Sequence, residues 1–208
     1  MSPRRFDFWF DFSCPYAYLA STQVEAMASR AGAEFAWCPM LLGGVFRAVG
    51  TPQNLSEVLS PPKTAHNLRD MQRWAELFGV PLTMPSGHPL RTVEALRVTL
   101  ASGIHREVVR GFYDAYWVRG EAPSDDRTMV RVLREAGFDD ARRDDVLARA
   151  KTAAVKDDLR ARTERAIALG VFGAPAFVTD EGELYWGQDR MVLVERDLRA
   201  PRTPKGRT

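Results

Sequence analysis

Segments that alternate apolar and polar residues in the manner of strands lie only at the two ends of this chain, and almost everything between them reads as helix. Residues 5 to 12, RFDFWFDF, alternate over most of their length, which predicts a strand with at least one buried face. Residues 15 to 32, PYAYLASTQVEAMASRAG, set apolar residues at helical spacing behind a proline suited to a first helical turn and stop at a glycine. Residues 33 to 42, AEFAWCPMLL, predict a second buried strand closed off by Gly43 and Gly44. Strand, helix and strand in this order make a βαβ unit, whose crossover is right-handed in nearly all proteins.

The pattern then changes. Residues 51 to 63 form a polar, proline-bearing loop, and apolar stripes of helical period follow at 65–79, 92–103, 106–120, 126–137 and 145–170. Strand character returns at 174–180, APAFVTD, followed by a turn at Glu181-Gly182, a second short strand at 183–188 and a last helix at 189–199. A βαβ half and a ββα half separated by helices predict one α/β fold. Its small mixed sheet would be built from residues 1–44 and 170–208, and 45–169 would form an inserted all-helical subdomain. The C-terminal APRTPKGRT reads as a frayed tail.

Composition narrows the function classes. The 208 residues suffice for one well-buried domain without staples, at 45% hydrophobic and 27% charged residues. The net charge is only +2, and the basic residues of 133–165 alternate with acids as on solvated helix faces, so no nucleic-acid partner is expected. No apolar run is long enough to span a membrane and no secretory leader is evident, which predicts a cytoplasmic protein. The two cysteines, Cys14 and Cys38, stand in different contexts and read as free thiols. There is no phosphate-binding glycine loop and no metal-ligand spacing. His66, His88 and His105 are scattered and read as surface or loop imidazoles, although a Cys–His pair close only in space stays open.

Three places could carry chemistry. Cys14 precedes Pro15 at a strand-to-helix turn, where free N–H groups and the helix dipole favour an anion and would lower the thiol pKa. Alternatively, Cys14 is a small buried hydrophobe, the reading that suits Cys38 better. Position 17, where a Cys-x-x-Cys pair would place its second sulfur, is Ala17. Ala174-Pro175 opens a strand, so the proline marks an edge, a bulge or a cis bond, or an ordinary trans boundary. A cis bond would turn the Ala174 carbonyl and N–H outward, free for an extended peptide. Gln188 and Asp189 follow a glycine at the entrance of the last helix, where Asp189 either caps the helix or holds a ligand ammonium.

In order and spacing, FDFSCPYAYLA, LLGGVFRAVG, RDMQRWAELFGVPL, GVFGAPAFV and WGQDRMVLV resemble the 2-hydroxychromene-2-carboxylate isomerases and the kappa-class glutathione transferases. The likeness spans about residues 5 to 197. It implies a thioredoxin-like fold with a helical insertion, related to the DsbA oxidoreductases, and a homodimer that uses glutathione and a small aromatic substrate. In the family pattern Asp-Phe-x-Ser-Pro-Tyr a serine supports the glutathione thiolate, and Cys14 stands in its place as the implied catalytic residue. The resemblance further implies glutathione contacts at Pro15, Tyr16, Lys63, Ala174, Pro175, Gln188 and Asp189. It implies a further glutathione contact at Thr51, which occupies the place of a family asparagine, with Asn54 nearby.

Three readings follow from these residues: a glutathione-dependent isomerase or transferase, a thiol-disulfide oxidoreductase using Cys14 alone, and a non-enzymatic binding module. The last would use Trp74, Phe112, Tyr113, Tyr116 and Trp117 as a surface, although their helical spacing places most of them in the core.

Overall fold

The computed structural model describes residues 3–54 and 58–201. Among the described residues four strands, β1 (Arg4–Phe10), β2 (Ala33–Pro39), β3 (Ala176–Thr179) and β4 (Leu184–Trp186), form one sheet in the order β2-β1-β3-β4. β1 runs parallel to β2 and antiparallel to β3, and β3 pairs antiparallel with β4. The expected mixed sheet is therefore present, with residues from both ends of the chain side by side. Central β1 is covered on both faces at its C-terminal half, where Phe8, Trp9 and Phe10 are all buried. Phe8 meets Phe177 at 5.2 Å and Trp37 edge-on at 5.3 Å, and burying each such ring contributes roughly 1.5–3 kcal/mol.

The stretch 15–32 is not one helix but two, α1 (Pro15–Ser21) and α2 (Val24–Ala31). Side-chain hydroxyls explain the break: Ser21 donates to the Tyr18 carbonyl at 2.6 Å and Thr22 to that of Leu19 at 2.7 Å, competing with the helical ladder. A second departure is α3 (Leu42–Val49), where the glycines promised only a strand end. Leu42, Val45 and Phe46 bury one helical face there. Gly44 serves close approach, since a Cβ there would lie 3.1 Å from Thr163 Cγ2, while the exposed Gln53 side chain lies over Gly43 and donates to its carbonyl at 3.1 Å.

The central helices are α4 (Pro61–Phe78), α5 (Val93–Ala101), α6 (Arg106–Trp117), α7 (Asp126–Glu135), α8 (Asp140–Arg149) and α9 (Ala153–Ala168). α4 begins earlier than its apolar stripe suggests, because Pro61 and Pro62 fit a first turn that needs no N–H donors. The 145–170 stripe is split between α8 and α9 by Thr152, which caps α9 by accepting from Val155 N. A short 3-10 turn, Gln188–Arg190, leads into α10 (Met191–Arg199). Part of the 51–63 loop and the tail from residue 202 lie outside the described residues. Among the described residues no helix is long and apolar enough to cross a membrane.

Candidate functional site

β1 ends at Phe10 and α1 begins at Pro15, so Asp11, Phe12, Ser13 and Cys14 form the turn that the fold must hold in place. Asp11 does most of this. Its Oδ1 accepts from Ser13 N at 3.0 Å, Ser13 Oγ at 3.1 Å and Thr92 Oγ1 at 2.8 Å, and its Oδ2 accepts from Leu42 N at 2.9 Å. One carboxylate thereby ties the turn to the starts of α3 and α5. Burial pushes the Asp11 carboxyl up from the usual range, against those four hydrogen bonds pulling it down. On the other side, Trp117 of α6 donates its indole N–H to the Phe12 carbonyl at 2.8 Å.

Cys14 is the residue immediately before α1 and is only 7% exposed. Its thiol donates to the Ala174 carbonyl at 3.0 Å. The Ala174–Pro175 bond is cis, one of the alternatives the sequence leaves open for this proline. The carbonyl pictured as free for a peptide is thus already occupied by the thiol. Next to it, Gly187 N donates to the Pro175 carbonyl at 3.0 Å, which joins the cis-proline segment to the Gln188–Arg190 turn.

The thiol is not acidified. Burial pushes Cys14 up to about 12, opposing the N–H groups of Ala17 and Tyr16, which pull it down; the nearby Asp11 charge adds to the rise. The anion-favouring helix end foreseen from the sequence is present, but desolvation outweighs it. Cys14 therefore carries its proton at neutral pH. Cys38 is buried and likewise pushed up to about 12, chiefly by burial.

Tyr16 is half-buried, and its phenol is raised to about 12 by burial and then by Asp70, Cys14 and Asp189. These same groups mark one neighbourhood, to which α4 contributes Asp70, a residue of the RDMQRWAELFGVPL stretch that the sequence reading gives no role. Gln188 is buried on a turn that packs against α1, and Asp189 is exposed. Asp189 makes no capping hydrogen bond to the helix and lies 3.7 Å from Arg190, so the cap reading is not what the structure shows. Cys14, Pro15, Tyr16, Ala174, Pro175, Gln188 and Asp189 thus converge. Thr51 follows α3, with its N–H on the Phe46 carbonyl at 2.8 Å, and Lys63 sits exposed on the first turn of α4. Among the described residues no hydrogen bond or ion pair joins either of them to the Cys14 turn.

Of the aromatics, Phe112, Tyr113, Tyr116 and Trp117 are buried and Trp74 is half-buried. Tyr113 was missed as a site neighbour. Its hydroxyl is buried without a hydrogen-bond partner among the described residues, and Cys14 and Asp11 both act on it. His88 stands in a loop but is half-buried. Its Nδ1 lies 2.8 Å from the Tyr116 hydroxyl, and its ring packs against Trp117 rather than serving Cys14.

Residues 5–199 match the family model described as a DSBA-like thioredoxin domain. The chain belongs to the DsbA-like thioredoxin family. Within this family it is similar to a 2-hydroxychromene-2-carboxylate isomerase from Pseudomonas sp. (strain C18), at 29% identity over 91% of this chain and 87% of that protein. It is also similar to glutathione S-transferase kappa 1 from Caenorhabditis elegans, at 26% identity over 95% of this chain and 92% of the relative. A solved 2-hydroxychromene-2-carboxylate isomerase structure superposes with a TM-score of 0.79 at 27% identity, covering 93% of this chain and 94% of that one. These relatives are enzymes by name, and the superposed isomerase shares this chain's fold.

Proposed function

We propose that this protein is a glutathione-dependent isomerase of the 2-hydroxychromene-2-carboxylate isomerase type. The observation that carries the reading is a protonated, buried thiol held beside the cis-proline segment at the start of α1. Such a thiol is a hydrogen-bond donor rather than a nucleophile, the role that a serine hydroxyl plays in the family pattern. In the proposed reaction the glutathione thiolate adds to a conjugated aromatic substrate, the adduct rotates about the bond that has become single, and the thiolate leaves with its electron pair. Nothing is oxidised, and Cys14 lends a hydrogen bond to the sulfur anion before addition and after departure. Gln188 and Asp189 would hold the γ-glutamyl ammonium end, and the Ala174 backbone, its carbonyl released as the Cys14 thiol turns to the glutathione sulfur, the extended middle of the tripeptide. Calorimetric titration with reduced and with oxidised glutathione tests this: absence of binding at millimolar ligand in both redox states sinks it.

One observation favours a thiol-disulfide oxidoreductase, namely that Tyr16 and Ala17 point N–H groups at the sulfur and would steady a thiolate once formed. In that reaction the Cys14 thiolate attacks oxidised glutathione, forming a mixed disulfide and releasing one glutathione thiolate. No resolving thiol stands at Ala17. A mass spectrum after exposure to oxidised glutathione separates the two readings, since the isomerase reading expects an unmodified Cys14.

A further inference from the structure

A cavity of about 440 Å³ opens among the helices, between α5, α7, α8 and the start of α9. Its volume falls within the roughly 300–1,000 Å³ typical of small-molecule sites. None of Cys14, Tyr16, Ala174, Pro175, Gln188 or Asp189 lines it. Its walls are largely apolar, with Met129, Val130 and Leu147 among them, and five charged side chains reach it: Arg97, Lys151, Lys156, Glu94 and Asp126.

These charges do not balance. Glu94 is already held by Arg91 through two hydrogen bonds of 2.8 and 2.7 Å, so its charge is neutralised outside the cavity. Among the described residues, Arg97, Lys151, Lys156 and Asp126 form no ion pair. Three cations therefore face one carboxylate. The Arg97 Nε is moreover buried with no hydrogen-bond partner among the described residues, a costly arrangement for a charged donor. Elsewhere on these helices arginines find acids, as Arg149 does with Asp145 at 2.8 Å and Arg131 with Glu135 at 2.8 Å. An anion in the cavity would meet this unspent charge, and an apolar body attached to it would cover the walls.

We propose that this cavity is a second ligand site, which binds a small organic carboxylate with an apolar body. The carboxylate pairs with the Arg97 guanidinium, whose planar fork matches it, and the two lysines supply point charges at the rim. The proposal does not depend on glutathione. α5 carries Glu94, Arg97 and Val98 into the cavity directly after Thr92, whose hydroxyl bonds Asp11, so the two sites flank one helix.

The probe is 1-naphthoate, titrated calorimetrically into the full chain at low ionic strength, with neutral 1-naphthamide as control. Binding below millimolar is expected, with the amide at least tenfold weaker. Affinity should fall at least tenfold in Arg97→Met and in the Lys151→Gln/Lys156→Gln double variant, and stay unchanged in Cys14→Ser and with glutathione present. The lysine pair lies at the surface, so its variant keeps the test open even if Arg97→Met fails to fold. No binding at millimolar naphthoate overturns the proposal. So does equal binding of the amide, full affinity in the folded lysine variant, or loss of binding in Cys14→Ser.

Discussion

The raised thiol pKa of Cys14 makes a quantitative statement about its reactivity. With a pKa of about 12 in place of 9.0, the thiolate fraction at pH 8 falls about a thousandfold, to roughly one part in ten thousand. The more basic thiolate is intrinsically more nucleophilic, and with a Brønsted coefficient of about 0.4–0.5 this recovers roughly fifteen- to thirtyfold. Alkylation of Cys14 by iodoacetamide in the folded protein should therefore run roughly thirty- to sixtyfold slower than in the urea-unfolded chain, before the added shielding of a 7% exposed side chain. Peptide mapping by mass spectrometry, with Cys38 read separately, gives the rate across pH 6 to 10. It should climb tenfold per pH unit with no plateau. A plateau at or below pH 8, or a folded rate exceeding the unfolded one, would show that the helix N-terminus wins over burial and would refute the neutral-donor role. The same shift is a stability statement. A folded pKa above the unfolded one favours the protonated fold, so the contribution is full below pH 9 and is lost as pH rises toward 12. A rise from 9.0 to about 12 corresponds to about 4 kcal/mol.

Asp11→Ala leaves Ser13, Leu42 and Thr92 donors without their acceptor and should cost about 3–5 kcal/mol in urea unfolding, whereas Thr92→Val, which removes one bond, should cost about 1 kcal/mol. Tyr113→Phe deletes a buried hydroxyl that lacks a partner, and should raise stability by about 1 kcal/mol, a Tm gain of about 2–4 °C; a fall in Tm would reveal a partner for that hydroxyl. Asp189→Asn, at an exposed position, should leave the Tm within about 1 °C and weaken glutathione binding about tenfold by calorimetry, and an unchanged affinity would remove Asp189 from the γ-glutamyl end.

Much of the fold was legible because its signals are periodic. Alternation in 5–12 and in 174–188 marked β1, β3 and β4, and helical stripes marked α5, α6 and α7. The misreadings share one physical source, in that side-chain hydrogen bonds and close contacts ended or began elements where hydrophobic period alone would have continued them. Ser21 and Thr22 cut one helix into α1 and α2, and Thr152 did the same between α8 and α9. Gly43 and Gly44, read as breakers, lie inside α3, where Leu42, Val45 and Phe46 bury one helical face.

The site was legible in position but not in sign. The segment FSCPY alone places a sulfur at a helix N-terminus, and the N–H groups of Tyr16 and Ala17 do turn toward it. Whether that sulfur ionises depends on how completely water is excluded, and exclusion is decided by residues remote in sequence. The Ala174 carbonyl arrives from 160 residues away to accept the thiol's hydrogen bond, and Tyr113 brings a ring from α6 to the aromatic wall around Phe10 and Phe12. Asp11, three residues from Cys14, adds a charge that resists a second anion nearby. A helix dipole acts within one turn and can be read locally, whereas desolvation sums over the whole enclosure. For this reason a cysteine at a helix N-terminus need not ionise: here burial keeps the proton on the thiol.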